Sequence, residues 1–212
     1  MRKLKLKRKK FKGKLIVIEG VEKAGKTTYV NTLGESLLKY YDKENCAYLK
    51  MPSSEVINSR LFRIYKYDET GKILYPNSLL LLIMSEMLQI TKEVIIPYLK
   101  QGKIVICEGY IYFVYCYLLH KKIANDYWFY TLKNEFVKPD IVFYVNVDFK
   151  TSIKRILEND DKRVFNTKGY KKFVGRFNKL ARKSRFIELI GNDGKSTSEK
   201  YIEKTLKDNK VI

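Results

Sequence analysis

Gly20, Gly25, Lys26 and Thr27 stand at the spacing G-x-x-x-x-G-K-[ST]. That spacing defines a phosphate-binding loop. Glycines let the backbone curl so that successive N–H groups point inward at phosphate oxygens. A lysine at position 26 adds a point charge at the β- and γ-phosphates, and the Thr27 hydroxyl is a ligand for Mg²⁺. The chemistry on offer is binding of a nucleoside triphosphate, ATP, with Mg²⁺. The binding residues are Gly20, Val21, Glu22, Lys23, Ala24, Gly25, Lys26, Thr27 and Thr28.

Two elements must position this loop. Leu15–Ile18 is a short apolar run that suits a strand buried on both faces. The segment after Thr28 reads as a helix to about Tyr41, whose N-terminal dipole favours an anion. Further on, strands are predicted at Cys46–Met51, Lys103–Cys107, Ile141–Val147 and Phe186–Ile190. Helices are predicted at Ser59–Tyr67, Asn77–Leu99, Tyr110–Lys121, Asp126–Val137, Lys150–Asn159, Gly169–Lys183 and Ser196–Lys207. Strands that alternate with helices imply an α/β, three-layer fold of the P-loop NTPase type, with a parallel sheet of about five strands covered on both faces. Asn159–Lys168 is polar and lies between two helices. A lid over the phosphates and a solvated connection both fit it.

The chain has 212 residues and a formal charge of +20. Residues 1–12 form a basic tail and 13–212 a single domain. Arg2–Lys14 carries nine basic residues and no acid. A frayed, solvated end accounts for such a run; contact with nucleic acid or nuclear import is the alternative. No apolar run approaches the ~20 residues of a membrane span, and the N-terminus lacks the apolar core of a secretory signal. Cys46, Cys107 and Cys116 have no metal-ligand spacing and read as reduced core thiols. A cytoplasmic protein is expected.

The surroundings of the loop resemble those of thymidylate kinases. Leu-Ile-Val-Ile-Glu-Gly-Val-Glu-Lys-Ala-Gly-Lys-Thr-Thr is similar to that family's loop. So are Lys50-Met-Pro-Ser, Glu93-Val-Ile-Ile-Pro-Tyr-Leu, the Glu108-Gly-Tyr110 segment after a strand, and Lys138-Pro-Asp-Ile-Val-Phe-Tyr-Val-Asn-Val-Asp148. The resemblance covers roughly residues 13–208. It implies transfer of the ATP γ-phosphoryl to a deoxynucleoside monophosphate, dTMP foremost, with Mg²⁺. It assigns Glu22 to the acceptor sugar, Lys23 to the transferring group, Glu108 to Mg²⁺ and phosphate, and Arg163 to the lid. It also implies an acceptor site between the long helix and Tyr110–Tyr117, drawing on Pro52, Ile83, Tyr110 and Tyr117. Homodimerisation through apolar helices is the family's habit, and Leu79–Leu82 is the candidate surface.

The sequence also departs from the family's pattern. An arginine expected after Glu108 is Gly109, and one expected on the long helix falls at Met87. An aromatic expected over the base falls near Ile83. A hydrogen bond to a charged group is worth roughly 1.5–3 kcal/mol, so losing two arginines removes on the order of a hundredfold or more in acceptor affinity. Lys50, Arg60 and Lys92 are the candidates to replace them, and restoring arginine at 109 and 87 is expected to raise dTMP turnover. Two rival readings share the fold: a weak or inactive ATP-binding protein, and a kinase for another nucleotide or nucleoside.

Overall fold

Five short runs rich in valine and isoleucine pair into one sheet. The computed structural model describes residues 4–8, 10–68, 72–123, 127–160, 166–190 and 195–212. The chain runs from β1 (Lys14–Glu19) into α1 (Lys26–Leu37), then β2 (Cys46–Lys50), α2 (Ser54–Ile57), α3 (Arg60–Tyr67) and α4 (Pro76–Ile90). It continues through α5 (Ile96–Lys100), β3 (Ile104–Glu108), α6 (Ile111–Lys121), α7 (Tyr127–Leu132), β4 (Ile141–Asn146) and α8 (Phe149–Leu157). The last elements are α9 (Thr167–Ser184), β5 (Ile187–Ile190) and α10 (Lys195–Asp208).

The strand order is β2-β3-β1-β4-β5, and every pairing is parallel. Parallel strands need crossover helices, which cover both faces and make the central strands apolar throughout. Leu15, Ile16, Val17 and Ile18 of β1 are accordingly fully buried. The Asp140 carboxylate accepts the Leu15 amide at 2.9 Å, which ties the start of β4 to β1. On one side α1 packs against α10; elsewhere α4, α6, α9 and α8 pack in succession. Among the described residues, no helix is long and apolar enough to cross a membrane. The α/β class and the five-stranded parallel sheet agree with the sequence reading.

Several boundaries shift. The single long helix predicted at Asn77–Leu99 is α4 and α5 joined by a π-helical turn at Thr91–Ile95. Pro97 has no N–H to offer the carbonyl one turn back, so the ladder widens just ahead of it. The Thr91 hydroxyl satisfies the Met87 carbonyl at 2.7 Å. A short helix, α2, follows the cis Met51–Pro52 bond and was not foreseen.

The basic tail is not a frayed end in its described part. Leu4 is buried, and Leu6 and Phe11 pack on the core. In Leu4-Lys-Leu-Lys7 the two leucines turn to the core while Lys5 and Lys7 are exposed, the two-residue alternation of an extended segment. The Lys133 ammonium donates to the Lys5 carbonyl at 3.1 Å. The Leu79–Leu82 surface also changes meaning. Leu79 and Leu80 are core, while Leu81 is exposed. Cys107 and Cys116 are buried free thiols, and Cys46 is half-buried.

Candidate active site

The C-terminal ends of β1 and β3 lie side by side, since Ile18 pairs with Glu108 in the parallel register. Such ends are where an α/β sheet opens its binding crevice. The phosphate-binding loop leaves β1 and enters α1 there. Gly25, at the helix N-cap, has φ 101°. A side chain would have open space at that position but not an easy backbone conformation, so glycine is needed. The first amides of α1 have no carbonyl one turn back and remain free for an anion.

The Lys26 ammonium folds onto its own loop, donating to the carbonyls of Gly20 (3.1 Å) and Val21 (2.8 Å). Burial pulls this amine below its usual range, while the carboxylates of Glu108, Glu19 and Glu22 raise it. The loop is braced from α8. Ser152 donates to the Glu22 carbonyl at 2.7 Å, and Arg155 to the Lys23 carbonyl at 3.3 Å. Lys23 itself takes a left-handed conformation, φ 55°.

Glu108 is the hub of the site. It accepts the Thr27 hydroxyl at 3.0 Å on both oxygens and the Tyr48 hydroxyl at 2.7 Å, with the Lys50 ammonium 3.8 Å away. Register explains this gathering: β2 pairs with β3 so that Lys50 faces Glu108 and Tyr48 sits two residues back on the same side. Burial, and then the bond to Glu108, raise the Tyr48 phenol above its ordinary range. Among the described residues no cluster of three or more His, Cys, Asp or Glu stands ready for a metal. A hydroxyl and a carboxylate, both hard oxygen donors, suit Mg²⁺, which takes its remaining ligands from water and substrate phosphates.

One cavity of about 910 Å³ runs from this loop toward α3, α4 and α6. Gly20, Glu22, Lys23, Gly25, Lys26, Thr27, Thr28, Pro52 and Glu108, all named from the sequence, line it. Val21 and Ala24 are buried behind the loop. Ile83 and Tyr110 are wholly buried in the core, and neither reaches the cavity. The Tyr110 hydroxyl instead donates to the Val137 carbonyl at 3.1 Å. Tyr117 lies one layer back, against Tyr65 and Phe113, which do line the wall. Arg163 lies outside the described residues, as does the segment 161–165 of the expected lid.

The cavity wall away from the loop is apolar and aromatic: Ile57, Phe62, Tyr65, Met87, Phe113 and Phe173. Of these the sequence singled out only Met87, as the place of an expected arginine, because the six come from five helices whose juxtaposition only the fold reveals. Of the three proposed replacement cations, Lys50 lines the cavity, whereas Lys92 is paired with Glu135 outside it. Lys66 also lines it and was not foreseen. Position 109 is a correction. Gly109 has φ 81°, and a Cβ there would stand 2.3 Å from the Met51 carbonyl oxygen. An arginine cannot simply be restored, because the Met51–Pro52 backbone has closed over that space. Glu86 fixes this backbone, accepting the Ser53 amide at 3.0 Å.

The family model described as thymidylate kinase matches residues 18–202. A probable thymidylate kinase from Methanococcus aeolicus is 30% identical over 209 residues, spanning 94% of this chain and 98% of that protein. Thymidylate kinase from Rickettsia africae is 30% identical over 186 residues, spanning 84% and 87%. A crystal structure of thymidylate kinase from Ehrlichia chaffeensis has a TM-score of 0.67 and 22% identity, covering 92% of this chain and 98% of that one. At that identity the likeness speaks for the fold.

Proposed function

This chain belongs to the thymidylate kinase family, and we propose that it moves the γ-phosphoryl group of ATP to dTMP. The observation that carries this reading is a single cavity with two ends. One end holds the loop, Lys26, Thr27 and Glu108; the other is an aromatic wall with Lys50 and Lys66 beside it. A phosphate oxygen of the acceptor attacks the γ-phosphorus, the bond to the β–γ bridging oxygen breaks, and ADP leaves. The protein's part is positioning and charge stabilisation. Lys26 exchanges its two loop carbonyls for β- and γ-phosphate oxygens. Lys23 stands by the transferring group, and Glu22 by the acceptor. Thr27 and Glu108 are the residues that would hold Mg²⁺, which when bound would supply neutralisation of phosphate charge.

The acceptor phosphate falls to Lys50 and Lys66 in place of the family's arginines. An ammonium is a point charge on a flexible stem and lacks the planar fork of arginine. dTMP turnover is therefore expected below the roughly 1–100 s⁻¹ of ordinary kinases. An ADP-release assay over nucleosides and nucleoside monophosphates tests the assignment, with Lys26→Ala as control. The expected result is release that depends on dTMP and is abolished in the control. Release with a different acceptor alone would reassign the substrate. No release with any acceptor, in a protein that binds ATP, would favour a binding role.

A further inference from the structure

We propose that the outward face of α9 is a binding surface for the phosphate backbone of nucleic acid. This helix carries seven lysines and arginines and no acidic residue. Lys168, Lys172, Lys179 and Arg182 follow one another at steps of four, seven and three residues. That spacing places them on one face of a helix with 3.6 residues per turn. All four are exposed. Among the described residues none of the four takes part in a salt bridge. Phe173, Val174, Phe177 and Leu180 occupy the opposite face and are buried.

The C-terminal turn of α6 extends the field. Arg176 donates to the Leu119 carbonyl at 3.0 Å and pins that turn against α9. His120, between them, is held below its ordinary range by burial and then by Lys121, Arg176 and Lys172, all of them cations. A patch whose four exposed cations, among the described residues, take part in no salt bridge keeps its field, which is the footprint of a polyanion site.

The dimensions and the polarity choose the partner. Eighteen helical residues span about 27 Å, far more than one nucleotide needs and suited to a row of phosphates. A helix that lies on an anionic membrane must offer apolar side chains to the acyl boundary. Here the apolar face is already committed to the core. The inner face also supplies Tyr170 and Phe173 to the nucleotide cavity. The two faces of α9 thus serve different ligands, and the surface does not depend on the kinase reading.

The test uses the full chain and a labelled 20-base-pair DNA duplex, with binding followed by fluorescence anisotropy between 50 and 200 mM KCl. Neutralising four phosphates gives a log–log salt slope of about −3.6. The triple variant Lys172→Gln/Lys179→Gln/Arg182→Gln should flatten that slope by about 2.7 and weaken binding at least tenfold at 100 mM salt. Its phosphoryl-transfer rate and Tm should match the unaltered protein. A second variant, Lys7→Gln/Arg8→Gln/Lys10→Gln in the tail, should keep most of the affinity. Three outcomes would overturn the proposal: no duplex binding at 50 mM salt, loss of binding in the tail variant only, or binding to phosphatidylserine vesicles but not to duplex.

Discussion

Glu19 sits beneath the loop with its carboxylate accepting the Tyr110 amide at 2.9 Å. Burial pushes this carboxyl up to about 8, against the opposing pull of Lys26 and of the Tyr110, Phe113 and Gly20 amides. Between its ordinary value near 4.5 and about 8, the native state therefore binds more protons than the unfolded chain. Stability contributed by this group falls as pH rises through that window. Glu19→Gln keeps an acceptor for the Tyr110 amide and removes the charge. Its Tm relative to the unaltered protein should climb from pH 5 to pH 8 and then level off; a constant difference in thermal melts would refute this. Tyr48 offers a second test. Tyr48→Phe removes a hydrogen bond that orients the buried Glu108 carboxylate. The Mg²⁺ concentration for half-maximal rate should then rise several-fold, with kcat at saturating Mg²⁺ nearly unchanged. Initial rates across a Mg²⁺ series decide it. Glu108 was legible in the sequence, because a carboxylate straight after a buried strand points into a crevice. Tyr48 was not, since only the register between β2 and β3 brings it to that carboxylate.

At the scale of elements, the turn between β3 and α6 explains why the acceptor side was harder to read than the donor side. The loop at 20–28 is a contiguous run whose spacing encodes its own geometry. The proposed acceptor wall is assembled from α2, α3, α4, α6 and α9, and its alignment slips with each unforeseen turn. Ile83 fell inside the core, and Met87, one turn later, reached the cavity. The π-helical turn at Thr91–Ile95 is one such irregularity, and α2 is another. Gly109→Ala tests the closed turn directly. The methyl group meets the Met51 carbonyl at 2.3 Å in a backbone conformation suited to glycine. Strain of this kind costs roughly 1–3 kcal/mol, so Tm should fall by several degrees. The KM for dTMP should rise more than that for ATP. Equal changes in both would mean that the turn does not belong to the acceptor side.

For the whole molecule, the α/β class, the parallel sheet and its strand count followed from the alternation of apolar runs with helical stretches. The packed N-terminal segment did not, because its charge hid a two-residue alternation of leucine. A net charge of +20 makes the folded state repel itself at low ionic strength. Raising KCl from 10 to 200 mM should therefore raise Tm, as the Debye length shrinks from about 30 Å to under 10 Å. A Tm that falls over this range would show that attractive ion pairs outweigh the repulsion. The strand order has a consequence during synthesis. β1 is made first but belongs at the centre of the sheet, between β3 and β4. The bond from Leu15 to Asp140 closes over 125 residues. At about 5–20 residues per second, a ribosome needs roughly 6–25 s to deliver that partner. For that time the Leu-Ile-Val-Ile run has no finished sheet to enter, so the nascent chain depends on holding chaperones more than a protein whose first strands pair with near neighbours.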